Sequence, residues 1–338
     1  MTPPLASIVL LTYKQEDFVE EALRSLLKQD WPNFEIIIAD DGSPDSTLAV
    51  IRRTLAEKGD DPRIRVLPSE SNRGMVWNWN RAVAEARGEI VVAAAGDDLM
   101  EPDRVRRTAE YFLLHPTCQA LSGNCRTIDE GGAVMRDPWR VRHAVVVRSL
   151  GSGPLWKGFG FIGSTAAYRS SLLSAFGPLD LRCGSEDTPC VVRAQLAGSA
   201  AVLPEVMMSW RRHGGSVSFA AAGVGQSRAA MHAAKRRKAR GAFRDAQQIR
   251  KDILRAIELS MRSAGEVRGA LAEAAFMYHQ NRLKYHLLHP RRQTRVVFGM
   301  IGRLLADREL TLSSRLALAA KRSAGLLWQA ICGLGVSA

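Results

Sequence analysis

The sequence is poor in cysteine, and what it has does not pair. Cys118, Cys125, Cys183, Cys190 and Cys332 are odd in number, and no two are spaced C-x-x-C. Buried, reduced thiols are therefore expected, not a disulfide framework or a zinc site. No run reaches the ~18 clean apolar residues of a membrane-spanning helix. The nearest, Ala324 to Ala338, is short and interrupted by Gln329 and glycines. A charged-then-apolar leader with a small-residue cleavage site is also missing ahead of the first strand-like segment. The expectation is a cytosolic chain, or one peripheral on the inner face of a membrane. No G-x-G-x-x-G follows the first strand, which disfavours a dehydrogenase. Thr12-Tyr-Lys-Gln-Glu16 carries no glycine where an enzyme that makes nucleotide sugars would carry a phosphate loop. No internal repeat is visible.

What is present is an ordinary globular composition: 338 residues, 46% hydrophobic and 24% charged, enough for one good core plus an appendage. The net charge of +13 is unevenly placed. Lys+Arg stand against Asp+Glu as 25 to 27 in residues 1–219 and as 22 to 7 in residues 220–338. Two parts with different tasks are implied, divided at 219/220.

The first part alternates strand and helix signals. Strand-like runs are Ser7 to Thr12, Glu35 to Ala39, Arg63 to Leu67 and Glu89 to Ala95. Between them lie helical patterns at Glu16 to Lys28, from Ser43 (a suitable cap, with Pro44 at the first position) to Lys58, and at Gly74 to Ala86. Pro102 opens another to Leu114. Nearly continuous apolar strands separated by helices predict a parallel sheet covered by helices. Ligands bind such sheets at the carboxyl ends of the strands. Further on, Gly131-Gly132 reads as a turn, Gly151 to Gly163 as a loop, Phe161 to Tyr168 as a strand, Glu186 to Leu196 as a helix and Val206 to Arg211 as a strand. After Ala220 the pattern is helical, interrupted near Pro290.

Four groups of residues at these ends can carry chemistry, and each has an ordinary reading. Asp40-Asp41-Gly42-Ser43 can accept hydrogen bonds from a base or ribose, or can simply be a turn and cap. Gly96-Asp97-Asp98 suits a hard divalent ion that keeps positions open for phosphate, or is a solvated turn. Glu186-Asp187 can supply a general base, or an acidic helix start. Arg211-Arg212-His213 can hold a diphosphate and ligate a metal, or can be a surface cluster.

Taken together and in order, Ser7-Ile-Val-Leu-Leu-Thr-Tyr13, Gln29-Asp-Trp-Pro-Asn-Phe-Glu35, Asp40-Asp-Gly-Ser43, Asn72-Arg-Gly74, Arg87-Gly-Glu89, Gly96-Asp-Asp98, Glu186-Asp187 and Arg211-Arg-His213 resemble the family 2 glycosyltransferases of GT-A fold. The resemblance covers roughly residues 5–218. It implies an α/β, Rossmann-like catalytic domain with a mostly parallel sheet flanked by helices. It also implies an inverting transferase that uses a nucleotide-sugar donor and Mn²⁺ or Mg²⁺. Thr12, Tyr13, Asp40 and Asp41 would hold the nucleotide, and Arg73 and Gly74 would lie near the phosphates or sugar. Asp97 would bind the metal with Asp98 and His213, Arg211 and Arg212 would face the diphosphate, and Asp187 or Glu186 would be the base. Two departures stand out. Ala95 replaces the first acid of the common Asp-x-Asp-Asp pattern, and Lys14 follows Thr-Tyr where asparagine is frequent.

Residues 220–338 are expected to form a basic, mainly helical extension. Lys235-Arg-Arg-Lys238 and Arg291-Arg292, accompanied by leucines, suit an anionic membrane surface near a lipid-linked glycan acceptor. Packing on the catalytic part or a homo-oligomer contact is the plainer alternative. Nucleic acid is the weakest option, since no recognised nucleic-acid motif accompanies the charge.

Overall fold

The computed structural model describes residues 2–140, 144–153, 160–216 and 228–287. The chain divides into two compact units, Met1–Phe219 and Ala220–Ala338. In the first, aliphatic strands alternate with helices: β1 (Ala6–Thr12), α1 (Val19–Leu26), β2 (Phe34–Asp40), α2 (Thr47–Ala56), β3 (Ile64–Leu67), α3 (Met75–Glu85), β4 (Ile90–Ala95), β5 (Leu99–Met100) and α4 (Arg104–Leu114). There follow β6 (Cys118–Ile128), β7 (Val134–Arg136), β8 (Val146–Ser149), β9 (Ala167–Arg169), α5 (Ser170–Phe176), α6 (Asp187–Ala197) and β10 (Ser199–Arg211).

The strands form one sheet in the order β3-β2-β1-β4-β9-β6-β10-β5, with β7 beside β6 and β8 beside β10. β1 to β4, β6 and β10 run parallel, while β5, β7, β8 and β9 oppose them. This is the mostly parallel α/β sheet expected from the continuous apolar runs. Ile8, Leu10, Ile36, Ile38 and Val92 pack with Val19 and Leu23 of α1 and Val105, Ala109 and Phe112 of α4 in one apolar core. Burial of side chains such as these, at about 1.5–3 kcal/mol each, is the main stabilising term.

Some of the sequence motifs serve this frame. Glu35 is buried, and its Oε1 accepts from Ser7 Oγ and the Arg87 N–H, both at 2.7 Å. Ser7 Oγ accepts in turn from the Gly88 N–H at 2.8 Å. A Cβ at Gly88 would stand 2.6 Å from the Leu5 carbonyl oxygen, so β1 and β4 can start together only with glycine there. Gln29 reaches α4, donating to the Glu101 carbonyl and accepting from the Val105 N–H. A first-turn amide that the helix cannot satisfy is thereby paired.

Two expectations need correction. Ser43 does not cap α2, which begins at Thr47. Its N–H and Oγ both donate to Asp40, and Asp45 takes the Thr47 N–H instead. The segment from Phe161 to Tyr168 is not one strand: a 3-10 turn occupies Gly163–Thr165, and the strand covers only Ala167–Arg169. Thr165 Oγ1 lies 2.7 Å from Ser122 Oγ and 3.0 Å from both the Ile162 and Gly123 carbonyl oxygens. Such side-chain bonds compete with the strand ladder. Part of the loop expected from Gly151 to Gly163 lies outside the described residues, as does the interruption near Pro290.

The second unit contains α7 (Arg228–Glu258) and α8 (Arg268–Leu287), which pack on each other. Ala239, Phe243, Ala246, Ile249, Ile253 and Ala256 form a buried stripe at helical spacing on α7. Lys235, Arg237, Lys238 and Arg240 of the same helix are exposed. Ser263 and Glu266 exchange hydrogen bonds ahead of α8 as a capping box. Among the described residues no helix is long and apolar enough to cross a membrane. The described cysteines, Cys118, Cys125, Cys183 and Cys190, are buried thiols.

Candidate active site

The carboxyl ends of β1, β2 and β4 meet at one edge. Thr12 pairs with Asp40 across β1 and β2, and the Gly96 N–H donates to the Leu11 carbonyl at 3.1 Å. Gly96 is also tight, since a Cβ there would lie 2.8 Å from Thr12 Cγ2.

At the β2 end both carboxylates are already held. Asp40 Oδ2 accepts from Thr12 Oγ1 at 2.9 Å and Ser43 Oγ at 2.6 Å, and Oδ1 accepts from the Ser43 N–H at 2.9 Å. Asp40 is thus a buried tie between β1 and the turn, not a group presented to a nucleotide. Asp41 accepts one amide on each oxygen, Arg73 N–H and Gly74 N–H, both at 2.8 Å. A carboxylate oxygen has two lone pairs, so each keeps one for a further donor. Gly42 sits at φ +68°, and a Cβ on it would fall 2.5 Å from the Ser71 carbonyl carbon. Only glycine lets the turn approach the 71–74 loop so closely. Arg73 is exposed and stacks on Trp77 at 4.4 Å, and Tyr13 is 37% exposed at the rim. Arg81 was not anticipated. It also stacks on Trp77, at 4.6 Å, and donates to the Asp40, Leu67 and Pro68 carbonyls. Burial pulls its pKa down, opposed by Asp41 and Asp40.

After β4 the chain presents Asp97, whose Oδ2 lies 3.0 Å from His213 Nε2. The Phe18 ring backs the imidazole at 4.4 Å. Asp98 points the other way. It is 7% exposed, and Oδ1 accepts from the Arg211 N–H at 3.0 Å. Burial, then the neighbouring Asp97 charge, raises its pKa well above the carboxylate range. Arg104, buried nearby and donating to the Ala93 and Ala166 carbonyls, is pushed down to about 9 by burial despite Asp98. Asp98 is therefore a buried brace and does not join Asp97 at the surface as a metal ligand. Arg211 is also turned inward, at 1% exposed. Its guanidinium donates to the Asp97 and Glu130 carbonyls and to Glu21 of α1, so it is not set to face a diphosphate. Arg212, the first residue after β10, stacks instead on Trp210 at 4.7 Å.

The third acid pair reaches the same edge by register. β9 runs against β4, with Val91 opposite Tyr168 and Val92 opposite Ala167. The Gly163–Thr165 turn therefore lies beyond Ala93, toward Asp97. A Cβ at Gly163 would stand 3.0 Å from Glu186 Oε1 and 3.1 Å from Asp187 Oδ2, so both carboxylates pack against this turn. Glu186 is 8% exposed, whereas Asp187 is half-buried and its Oδ1 accepts from the Thr188 N–H at 2.6 Å. Of the two, Asp187 is the more exposed. Gly163, Glu21 and Arg104 were missed by the sequence reading. A glycine inside a strand-like pattern is a signal of close approach and could have marked the first. Among the described residues no three His, Cys, Asp or Glu side chains form a cage that could hold an ion alone. Asp97 with His213 is a two-donor oxygen–nitrogen set, which fits a divalent ion whose remaining positions go to phosphate and water.

The comparisons with known proteins agree on the class. Residues 7–177 match the model of glycosyl transferase family 2. EpsE of Bacillus subtilis, named a glycosyltransferase, is 28% identical over 169 residues, 50% of this chain and 57% of that protein. TuaG of the same organism, named a teichuronic acid biosynthesis glycosyltransferase, is 33% identical over 38% of this chain and 50% of its own length. The chain thus spans about half the length of these relatives. Among solved structures, a Pyrobaculum calidifontis mannosyltransferase in complex with GDP-Man and Mn²⁺ aligns with TM-score 0.54 at 19% identity, covering 96% of this chain and 81% of the other. S. aureus TarS 1-349 in complex with UDP-GlcNAc aligns with TM-score 0.55 at 18% identity, covering 95% and 92%. The fold is that of GT-A enzymes, and the family match runs from β1 to the end of α5: this chain belongs to glycosyl transferase family 2.

Proposed function

We propose that the chain is an inverting, metal-dependent glycosyltransferase, moving a sugar from a nucleoside diphosphate sugar to a hydroxyl of a glycan or lipid-linked acceptor in cell-surface polysaccharide synthesis. The observation that carries this reading is the Asp97–His213 pair at 3.0 Å on the same strand edge as Asp187. Tyr13, Asp41, Arg73 and Gly74 form the nucleotide wall, with the Thr12–Asp40 bond holding the strand ends behind it. Asp41 uses its remaining lone pairs on base or ribose, and Tyr13 and Arg73 close the rim. Asp97 and His213 hold Mn²⁺ or Mg²⁺. When bound, the ion offsets the negative charge that grows on the departing diphosphate, which favours the transition state over the ground state. On the opposite side of the sugar, Asp187 accepts the proton of the attacking hydroxyl, and a single displacement inverts the anomeric centre. Glu186, buried behind it, holds the turn.

Nucleoside diphosphate release from UDP-, GDP- and dTDP-sugars, measured with Mn²⁺, Mg²⁺ or EDTA, tests the reading. Release from one donor with metal and none with EDTA is the expected result. Ala95, in place of an acid, motivates one competing reading, a nucleotide-binding protein without turnover. Metal-dependent binding that never leads to release, with acceptors supplied, would favour it.

The basic helices of the second unit are proposed to meet an anionic membrane surface. Lys235, Arg237, Lys238 and Arg240 lie exposed within two turns of α7. The full chain should float with vesicles containing phosphatidylglycerol, less so at high salt, and not with neutral vesicles. Equal behaviour with both lipids would refute the contact.

A further inference from the structure

Gln15 places two unused N–H donors where the ends of β1 and β4 meet. Its side chain lies against the Gly96 backbone: a Cβ built on Gly96 would collide with Gln15 Oε1 and stand 3.2 Å from its Cδ. The missing side chain at 96 is therefore what admits the amide. Oε1 accepts from the Tyr13 N–H at 3.3 Å, which fixes the end of the amide that is oxygen. Nε2 has no acceptor among the described residues, and the half-buried side chain leaves it open to solvent. A primary amide nitrogen of this kind carries two donors and no charge.

The sheet order makes this place a ligand crevice. From β1 the chain steps to β2 and β3 on one side, then crosses back to β4 on the other, giving the order β3-β2-β1-β4. The winding reverses between β1 and β4. Open α/β sheets bind ligands outside the carboxyl ends of the strands at such a reversal. Gln15 follows β1 and Gly96 follows β4, so their contact lies in that crevice. Asp41 follows β2 on one side of β1, and Asp97 follows Gly96 on the other. A donor with its base at Asp41 and its diphosphate at Asp97 has to cross the end of β1 between them.

The segment that carries Gln15 is pinned from two directions. The Lys14, Gln15 and Glu16 N–H groups donate in turn to Ser43 Oγ at 3.0 Å, Thr47 Oγ1 at 2.8 Å and Asp45 Oδ2 at 3.4 Å. The Gln15 carbonyl accepts the Phe18 and Val19 N–H groups at the start of α1. The amide is thus in position before a ligand arrives, which spares part of the ordering cost of binding.

We propose that Gln15 is a donor-binding residue, whose Nε2 hydrogen-bonds an oxygen of the nucleoside diphosphate, on ribose or on phosphate, between the Asp41 and Asp97 contacts. This rests on the glycosyl-transfer reading above and deepens it. The plainer role is to hold the Tyr13 amide through Oε1 and nothing more.

Calorimetry on the full chain with Mn²⁺ separates the two, using UDP, GDP and dTDP to find the diphosphate that the wild type binds. Gln15→Met keeps the length of the side chain and removes both donors. It should bind that diphosphate ~3–10-fold more weakly, the scale of one neutral hydrogen bond. Gln15→Glu keeps an acceptor for the Tyr13 N–H and turns the free end into a carboxylate oxygen. It should bind more weakly still, by over ~10-fold, because two oxygens then face each other. Both variants should melt with the wild type, since the backbone bonds of Gln15 remain. The 2′,3′-dideoxy form of the same diphosphate locates the partner: the Gln15→Met loss disappears with this probe if the contact is to ribose and persists in full if it is to phosphate. Wild-type affinity in Gln15→Met overturns the proposal. So does wild-type affinity in Gln15→Glu, which would leave only the Tyr13 contact, and so does a loss that comes with a lowered melting temperature in both variants. A wild type that binds none of the three diphosphates overturns the donor reading as well. One that binds a diphosphate which Gln15→Met binds equally sinks only the Gln15 contact.

Discussion

Asp187→Asn is expected to bind nucleotide sugar as the wild type does and to transfer it ~10²–10⁴-fold more slowly. The local structure makes this a clean substitution. Asp187 Oδ1 accepts the Thr188 N–H at the start of α6, and an asparagine oxygen can do the same. The second oxygen lies against the Gly163 turn, where the proposed mechanism brings the acceptor hydroxyl. Replacing it by an amide leaves shape and helix start in place and removes only the ability to take a proton. Binding measured by calorimetry and transfer by product formation separate the two effects. Glu186→Gln should lower transfer less, because Glu186 is buried behind the turn. Transfer by Asp187→Asn at the wild-type rate would remove Asp187 from its role as base.

Asp97→Ala should abolish the difference between Mn²⁺ and EDTA in nucleotide binding and reduce metal-dependent release by at least ~10²-fold. His213→Gln should act in the same direction and more mildly. Loss of fold is not the expected cause. Arg211 holds this loop through the Asp97 backbone carbonyl and the Asp98 side chain, neither of which the alanine removes. The melting temperature should therefore stay close to that of the wild type. A variant that melts normally and still shows full metal-dependent release would show that the ion is held elsewhere.

The first four strands and helices were legible because their cause is local. Apolar runs such as Ile36-Ile37-Ile38 can only be buried on both faces, and the polar residues that follow must lie at the strand ends. The family resemblance singles out Asp97, Asp187 and His213, and the structure shows Asp97 beside His213 and Asp187 against the Gly163 turn. What each neighbour does was harder to see. Adjacent identical residues look interchangeable in a sequence, yet Asp97 meets His213 while Asp98 is sealed against Arg211. Likewise Arg211 is buried while Arg212 stacks on Trp210. Asp97 and Asp98 lie in the turn between β4 and β5, and Arg212 follows the end of β10, so no strand period assigns them and only their tertiary partners fix which member goes inward. The Gly163–Thr165 turn was read as strand because its apolar flanks hide a hydroxyl pair, Ser122 and Thr165, that are 43 residues apart in sequence. The capping box at Ser263 and Glu266 is legible in the sequence as S-x-x-E ahead of a helical run.

The division of labour between Arg211 and Arg212 constrains how the lineage of this enzyme can diversify. Adding or deleting one residue late in β10 would exchange the two faces, delivering Trp210 to the α1 side and stripping the Asp97 loop of its anchor. Such changes should be purged, so variation there is confined to substitutions. The connection from β6 through β7 to Trp139 is under no such parity rule, since Val134 and Met135 lie exposed and Gly132 absorbs a turn at φ +90°. Length polymorphism among homologues should accumulate in that connection, where it leaves the Asp97 loop and its arginine anchor undisturbed.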